Sequence, residues 1–418
     1  MRPRGTRHAV GASPLDARRH NRPLVLRSIW EGDGVSRAEL SRLTRLSGPV
    51  ITDIVGELLA AGLIREDGQK VSTGGRRATI LRMDEQARHV VAVDLARHQT
   101  RVAITDLNAT VLHQVSVPTS GFLDPRANLR WLQGIISRAI NDYGLPRERL
   151  LGIGVGAPGP LSTTTGEILA PTNFGAWQRI SLRSALEQAF KVTVRVDNDA
   201  NACALALRMF GPGRTARDFV YLAAGSGVGA GIVIDGEVYR GGHDLAGEIG
   251  HATVEPDGPH CPCGNVGCLE LYTTVRATLA RAMRTLPPAT ALDELSAIRA
   301  LIESAHAGNE DAQNALATTA RYLAIAAVNA INAFDPHVVF IGRELAAADE
   351  LILGPVRAVV AERAFTATGR KVPIERDPLG DDTPLLGAAS LVLRELFLDT
   401  DILGDLMVSS RPVDSNSS

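Results

Sequence analysis

The spacing of apolar residues separates a short helical N-terminal stretch from a long α/β remainder. From Pro23, PLVLRSIWEG puts Leu24, Leu26 or Arg27, and Trp30 on a helical period, which predicts a helix ending near Gly32. Ser36 opens a second helix, RAELSRLT, with Glu39 at capping-box distance. After a turn at Arg45–Leu46, Ser47 is a candidate cap for GPVITDIVGELLAAG, where Pro49 near the first helical position costs little. Val50, Ile54, Leu58 and Leu59 are expected on the buried side of this third helix, and Gly62 stops it. LIRED and RRATILR then read as two strands around GQKVSTGG. Three short helices and a hairpin predict a winged helix-turn-helix over residues 21–83.

Beyond residue 83 the period changes. HVVAVDLARHQTRVAITDLNATVLHQVSVPT alternates over three strand-like runs with turns at Ala96–Gln99 and Leu107–Ala109. A helix from about Asp124 to Tyr143 follows. The apolar strand LLGIGVGAPGPL ends in a glycine–proline loop, the kind of place where α/β proteins bind ligands. A helix over Ser181–Ala189 and the strand VTVRV lead into DNDANACALA, which puts Asp199 at the mouth of a helix; simple capping by Asp197 to Asp199 is the alternative. FVYLAAGSGVGAGIVIDGEVYRG predicts a strand, a glycine-rich hairpin and a strand. Backbone donors at Gly225, Ser226 and Gly227 suit an anion, although glycines there also permit a tight turn, and no Gly-Lys-Ser/Thr follows as in a Walker A loop. Alanine-rich helices, the buried strand PHVVFIG, a helix near Ala348–Ala364, the strand KVPIER and a very apolar last helix complete the chain. The domains expected are a flexible basic tail over 1–20, the winged helix over 21–83, a first α/β lobe over 84–205 joined by the returning helix 384–397, a second lobe over 206–383, and a disordered tail over 408–418.

Composition changes this picture in two ways. At 418 residues the chain can hold two or three domains with substantial cores. It has no 18-residue apolar run, and its arginine-rich start lacks a signal peptide's apolar core, which predicts a cytoplasmic protein without a membrane partner. Charge is uneven: residues 1–82 hold 14 Arg and 1 Lys against 8 acidic residues, a formal +7, so the rest of a chain with net charge −2 carries −9. A basic module on an acidic body points to DNA at one end and another ligand at the other. Arg76 and Arg77 on the wing are expected to meet phosphates or a narrow minor groove, Arg37 and Arg45 to clamp backbone, and Ser47, Pro49, Thr52 and Asp53 to lie near the DNA on the recognition helix.

The densest chemistry lies in GEIGHATVEPDGPHCPCGNVGCLE, residues 247–270, with three of the chain's four cysteines. Cys261 and Cys263 are too close in sequence to pair with each other. His251, Cys261, Cys263 and Cys268 are therefore expected to enclose a structural Zn²⁺.

DNDANACALA, GSGVGAG at 225–231, AGEIGH and CPCGNVGCLE together resemble the ROK family (repressors, open reading frames and sugar kinases). STGGRR on the wing is similar to its regulator branch. The resemblance covers about residues 21–400 and implies a two-lobed body of the actin-like ATPase and hexokinase type, commonly dimeric or otherwise homo-oligomeric. It places Asp199 at the position of the kinase base and Asn198, Glu248, His251 and Glu270 at sugar contacts, with Asn173 of PTNFGAW a further one. It also implies that His251 binds zinc through one ring nitrogen and sugar through the other. The nucleotide motifs depart from the kinase pattern. Asp94 is followed by Leu95, Ala96, Arg97, His98 and Gln99 where kinases have DxGGTK, and the late GGG motif reads Gly342, Arg343, Glu344; Ser226 stands where threonine is usual. Asp94, Gly225, Ser226 and Gly227 are then vestiges of phosphate loops, and ATP is not an expected cofactor. The resulting expectation is a transcriptional regulator, a repressor of carbohydrate genes that binds operator DNA and a monosaccharide or sugar phosphate. The alternatives are a sugar kinase carrying a DNA-binding domain, or a regulator controlled by a protein partner.

Overall fold

The computed structural model describes residues 14–32, 34–69, 78–119, 121, 124–169, 174–282 and 291–398. Arg76 and Arg77 of the wing, Asn173, and the stretch 408–418 lie outside the described residues. The chain forms two compact units, one from the segments up to Arg88, Asp106–Asn108 and from Leu393 on, the other from His89–Thr105 and Ala109–Val392.

In the first unit the helices α1 (Pro14–Glu31), α2 (Arg37–Thr44) and α3 (Gly48–Ala60) precede the strands β1 (Ile64–Gln69) and β2 (Thr79–Met83). Helix α1 begins inside the stretch expected to be a flexible tail, because Pro14 is tolerated at a first helical position and Ala17, Arg18 and Arg19 are good helix formers. Its buried residues are Val25, Leu26 and Ile29, while Leu24 is exposed. Ser36 and Glu39 cap α2 reciprocally: the Ser36 hydroxyl accepts from the Glu39 amide, and Glu39 Oε2 accepts from the Ser36 amide at 2.9 Å. Arg45 closes α2 with a left-handed φ of 58°. In α3 the buried face is Ile51, Ile54, Val55 and Leu58, one position removed from the expected Val50 and Leu59, and Ser47 makes no side-chain capping bond. Strands β1 and β2 pair antiparallel with Ile64 opposite Met83, and Val35 bridges to Leu81. In the same unit Trp30 stacks on Phe397 with ring centroids 4.6 Å apart.

The second unit opens with β3 (His89–Leu95), β4 (Gln99–Thr105) and β5 (Val111–Pro118), then α4 (Pro125–Tyr143), β6 (Leu150–Ala157), the short pair β7 (Leu161–Ser162) and β8 (Glu167–Ile168), α5 (Leu182–Phe190), β9 (Thr193–Asn198) and α6 (Asp199–Phe210). It continues with β10 (Phe219–Ala224), β11 (Val228–Ile234), β12 (Glu237–Val238), α7 (Glu270–Thr273), α8 (Val275–Ala282), α9 (Ala291–His306), α10 (Glu310–Phe334), β13 (Val338–Gly342), α11 (Glu350–Arg363), β14 (Ile374–Arg376) and, as far as Val392, α12 (Thr383–Leu398), whose remainder belongs to the first unit. Two five-stranded sheets result, ordered β5-β4-β3-β6-β9 and β12-β11-β10-β13-β14. In each, the first three strands meander antiparallel and the last two join in parallel. The lobes are thus built on one topology used twice, and the β3–β4 and β10–β11 hairpins are equivalent. Each sheet has its own apolar core. Close packing around α6 and α12 depends on missing side chains: a Cβ on Gly154 would collide with the Ala388 carbonyl oxygen, and one on Gly387 with that of Ala202. Among the described residues no helix is long and apolar enough to cross a membrane.

Candidate functional site

The cleft of the second unit is built where strands end. Strand β9 delivers Asn198 and Asp199 at the start of α6. The Asn198 side chain caps that helix, accepting from the Ala200 amide at 2.8 Å, which leaves its amide nitrogen for the cleft. Asp197, one residue earlier, is structural: Arg240 holds its Oδ2 through Nε at 2.9 Å and Nη2 at 2.6 Å. Opposite, the loop after β12 is pressed onto β11 by two glycines. Gly247 has φ 94°, and a Cβ there or on Gly250 would strike the carbonyls of Ala230 or Val228. This approach carries Glu248 and His251 into the cleft. Asn198, Asp199, Glu248, His251 and Glu270 line one half of it together with Phe174, Gly159 and the Gly225–Gly227 hairpin.

Gly159, which sequence reasoning did not single out, fits between two of these groups. A Cβ there would lie 2.5 Å from Glu248 Oε1 and 2.7 Å from Asn198 Nδ2. Its place in the loop after β6 was the only available signal. Burial, aided by the nearby carboxylates of Asp199 and Glu270, pushes Glu248 up to about 7 from a reference of 4.5. The folded protein therefore holds this proton more tightly than the unfolded chain. The associated stability is fully present below pH 4.5 and lost as pH rises through about 7. Glu248→Gln is expected to raise the melting temperature of ligand-free protein at pH 8, by up to ~3 kcal/mol in stability, with the gain vanishing in acid. A gain that is equal at pH 8 and in acid would show that Glu248 does not titrate this way.

The other half of the cleft is lined by Asp94, His98, Arg101, Tyr221, Arg343, Glu344 and Asp377, and the halves meet at Ala96, Ser226, Arg343 and Glu344. Asp94 is buried and fully engaged: Arg101 meets its Oδ2 at 2.9 Å and Arg343 its Oδ1 at 3.4 Å. Arg343 also reaches Asp199 Oδ2 at 2.9 Å. Burial raises the Asp199 carboxyl, against the pull of Arg343. Glu344 presses its carboxylate on the hairpin, where a Cβ on Gly225 would collide with it. A guanidinium and a carboxylate thus line the junction of the two halves beside the Gly225–Gly227 hairpin. The sequence showed that glycines were missing here, without showing where the replacing side chains go.

Beside the pocket, His251 Nδ1 and the sulfurs of Cys261, Cys263 and Cys268 all lie within 4.8 Å of one another and could hold a metal ion. Cys263 and Cys268 sulfurs are 3.7 Å apart, and Cys261 Sγ is 3.7 Å from His251 Nδ1. Ligands about 2.3 Å from a tetrahedral ion stand about 3.8 Å from each other, whereas a disulfide would need about 2.05 Å. All four cysteines are free thiols. Glu270 touches this group as well, 3.5 Å from Cys261 Sγ and 3.6 Å from His251 Nδ1.

In the first unit Arg45, Ser47, Pro49, Thr52 and Asp53 are all exposed around the start of α3. Thr52 returns its hydroxyl to the Gly48 carbonyl at 2.9 Å. Arg37, expected to clamp backbone, pairs with Glu66 at 3.0 Å while remaining about a third exposed.

The sequence profile of the ROK family matches residues 90–395. The chain belongs to the ROK family. Among its relatives, a xylose repressor from Caldicellulosiruptor bescii is 30% identical over 384 residues, covering 90% of this chain and 96% of that one. The DNA-binding transcriptional dual regulator NagC of Escherichia coli is 30% identical over 389 residues, covering 90% and 93%. Among solved structures, a ROK family transcriptional regulator, homolog of the E. coli MLC protein, superposes with TM-score 0.78 at 25% identity, covering 94% of this chain and 99% of that one. A ROK family glucokinase from Streptomyces griseus, in complex with glucose and AMPPNP, gives 0.64 at 26% identity and covers 72% of this chain and 98% of its own. Repressors align along nearly the whole chain, and the kinase along the body.

Proposed function

We propose that this ROK protein is a sugar-responsive repressor of carbohydrate uptake or catabolism genes, with the first unit reading operator DNA and the cleft binding a monosaccharide. The observation that carries the reading is the state of the cleft. One half brings together acceptors and donors from Asn198, Asp199, Glu248, His251 and Glu270, while in the other, still open, half Arg343 and Glu344 stand where the kinase pattern has glycines. Phosphoryl transfer depends on positioning and on neutralising charge, and a protein carboxylate resting on the hairpin opposes both. Three carboxylates around the sugar site also favour a neutral sugar over its phosphate ester. Asn173 would add a further contact. The exposed start of α3 would enter the major groove, with Arg45, Ser47, Pro49, Thr52 and Asp53 near the DNA and Arg37, Arg76 and Arg77 on its backbone. A homo-oligomer would place two such readers on one operator. The metal would be a structural Zn²⁺ held by His251, Cys261, Cys263 and Cys268, fixing the His251 ring so that its second nitrogen faces the sugar.

The test is operator affinity on the DNA upstream of the protein's own gene, with D-xylose, D-glucose, N-acetyl-D-glucosamine and the 6-phosphates of the last two added separately. One neutral sugar is expected to weaken operator binding about tenfold, a coupling of about 1.4 kcal/mol. Sugar binding that leaves operator affinity unchanged across the panel would remove the mechanism.

A further inference from the structure

Strand β13 ends at Gly342, and Arg343 then adopts φ 69° and ψ −167°, a region that L residues rarely enter. Its side chain, only 10% exposed, crosses from the second lobe to two carboxylates of the first, at Asp94 and Asp199. The oxygens are shared out closely. Asp94 gives Oδ2 to Arg101 through contacts of 3.1 and 2.9 Å. Asp199 gives Oδ1 to the Ala200 amide at 2.8 Å. Oδ2 is the Asp199 oxygen turned from that backbone contact, and Arg343 holds it at 2.9 Å. Other polar contacts also join the lobes: Arg240 to Asp197 Oδ2 at 2.6 Å, the Thr163 amide to Asp244 Oδ2 at 2.9 Å, and Arg101 Nη1 to the Asp381 carbonyl at 2.8 Å. Arg343 differs from these in holding a carboxylate, Asp199, that lines the cleft beside Asn198, Glu248 and His251.

We propose that Arg343 is the residue that couples sugar occupancy to the arrangement of the lobes: a sugar hydroxyl taking Asp199 Oδ2 displaces the guanidinium and undoes the one of these inter-lobe contacts that shares a group with the sugar. This rests on the sugar-pocket reading above. Sugar and Arg343 compete for one oxygen, so the arrangement in which Arg343 is docked binds sugar less well than the one in which it is released. That difference in affinity is what a ligand needs in order to shift a conformational equilibrium. The unusual backbone at Arg343 is a strain that the two ion pairs help to compensate, so releasing the side chain weakens what holds it. Asp94 and Arg101 remain paired throughout and keep the first lobe's end of the tie in place.

The experiment is Arg343→Ala in the full chain, titrated with D-xylose, D-glucose and N-acetyl-D-glucosamine beside wild type and then assayed on operator DNA with whichever of them binds. The expected result is sugar affinity at least threefold tighter than wild type, together with a sugar effect on operator binding cut from about tenfold to under twofold. A side chain that only supports the fold would not tighten sugar binding when removed. Unchanged or weaker sugar binding, or a fully retained operator response, overturns the proposal. Should the alanine variant not fold, hydrogen exchange of the wild-type protein decides: the segment 338–348 is expected to exchange faster with sugar bound, and unchanged or slower exchange overturns the idea. If none of the three sugars binds wild type, the effector reading itself falls, and this inference with it. Sugar binding to wild type, with Arg343→Ala behaving identically, sinks the inference alone.

Discussion

Cys263→Ser is expected to leave purified protein with less than a tenth of the metal bound by wild type and to lower its melting temperature by several degrees. The choice of cysteine matters. Cys268 is buried, so its replacement disturbs packing as well as ligation, whereas Cys263 is exposed and contributes little to any core. Stability lost at Cys263 would therefore be stability supplied by a bound ion. Metal binding to such sites is worth on the order of 10 kcal/mol in small zinc domains. In a large body that retains two other cores, a loss of several kcal/mol confined to the segment around residues 247–274 is the reasonable scale. Elemental analysis with thermal melts checks both parts. Stoichiometric zinc in the variant, or none in the wild type, would remove His251, Cys261, Cys263 and Cys268 as a metal site. A second consequence separates ligation from folding: His251 faces the thiols with Nδ1, so losing the ion frees its ring to turn, and sugar affinity should fall even where the variant remains folded.

Gly154→Ala is expected to have the largest effect on folding. The position lies at the centre of β6, between β3 and β9, and α12 runs across it so closely that an added methyl would meet the Ala388 carbonyl oxygen. Backbone on backbone has no rotamer to give way. The strand or the helix must shift, at a cost of about 3 kcal/mol or more. Gly134→Ala is the control. It lies inside α4 with nothing within 4 Å of its Cβ position, so the same added methyl should stabilise by ~0.5–1 kcal/mol. Equal melting temperatures for the two variants would show that α12 does not pack on β6 as described.

Most of the architecture could be read from periodicity because its signals are local. Strands β3 to β5, the helix ending at Gly144, and the capping box at Ser36 and Glu39 are each set within a few residues. The thiol and imidazole cluster was equally legible, since its ligands fall within one short segment. Phase was less secure in α3. A short helix opening on Gly48 and Pro49 offers two overlapping apolar stripes, and tertiary packing chose Ile51 and Val55 over Val50 and Leu59. What the chain does not reveal locally is the pairing of distant charges. Asp199 and Arg343 are 144 residues apart, and Asp197 and Arg240 are 43 apart. Their partnership exists only once two sheets of like topology face each other. Asp94 illustrates the point: sequence pattern marks it as a remnant of phosphate binding, yet the fold makes it the anchor of two arginines.

Glu344, lying against the Gly225 hairpin, has a consequence for what the molecule senses. A sugar kinase answers to two supplies at once, carbohydrate and adenylate. With a carboxylate of its own set against the hairpin where a kinase would seat phosphates, a repressor of this build would register nutrient availability with less regard to the energy charge of the cell.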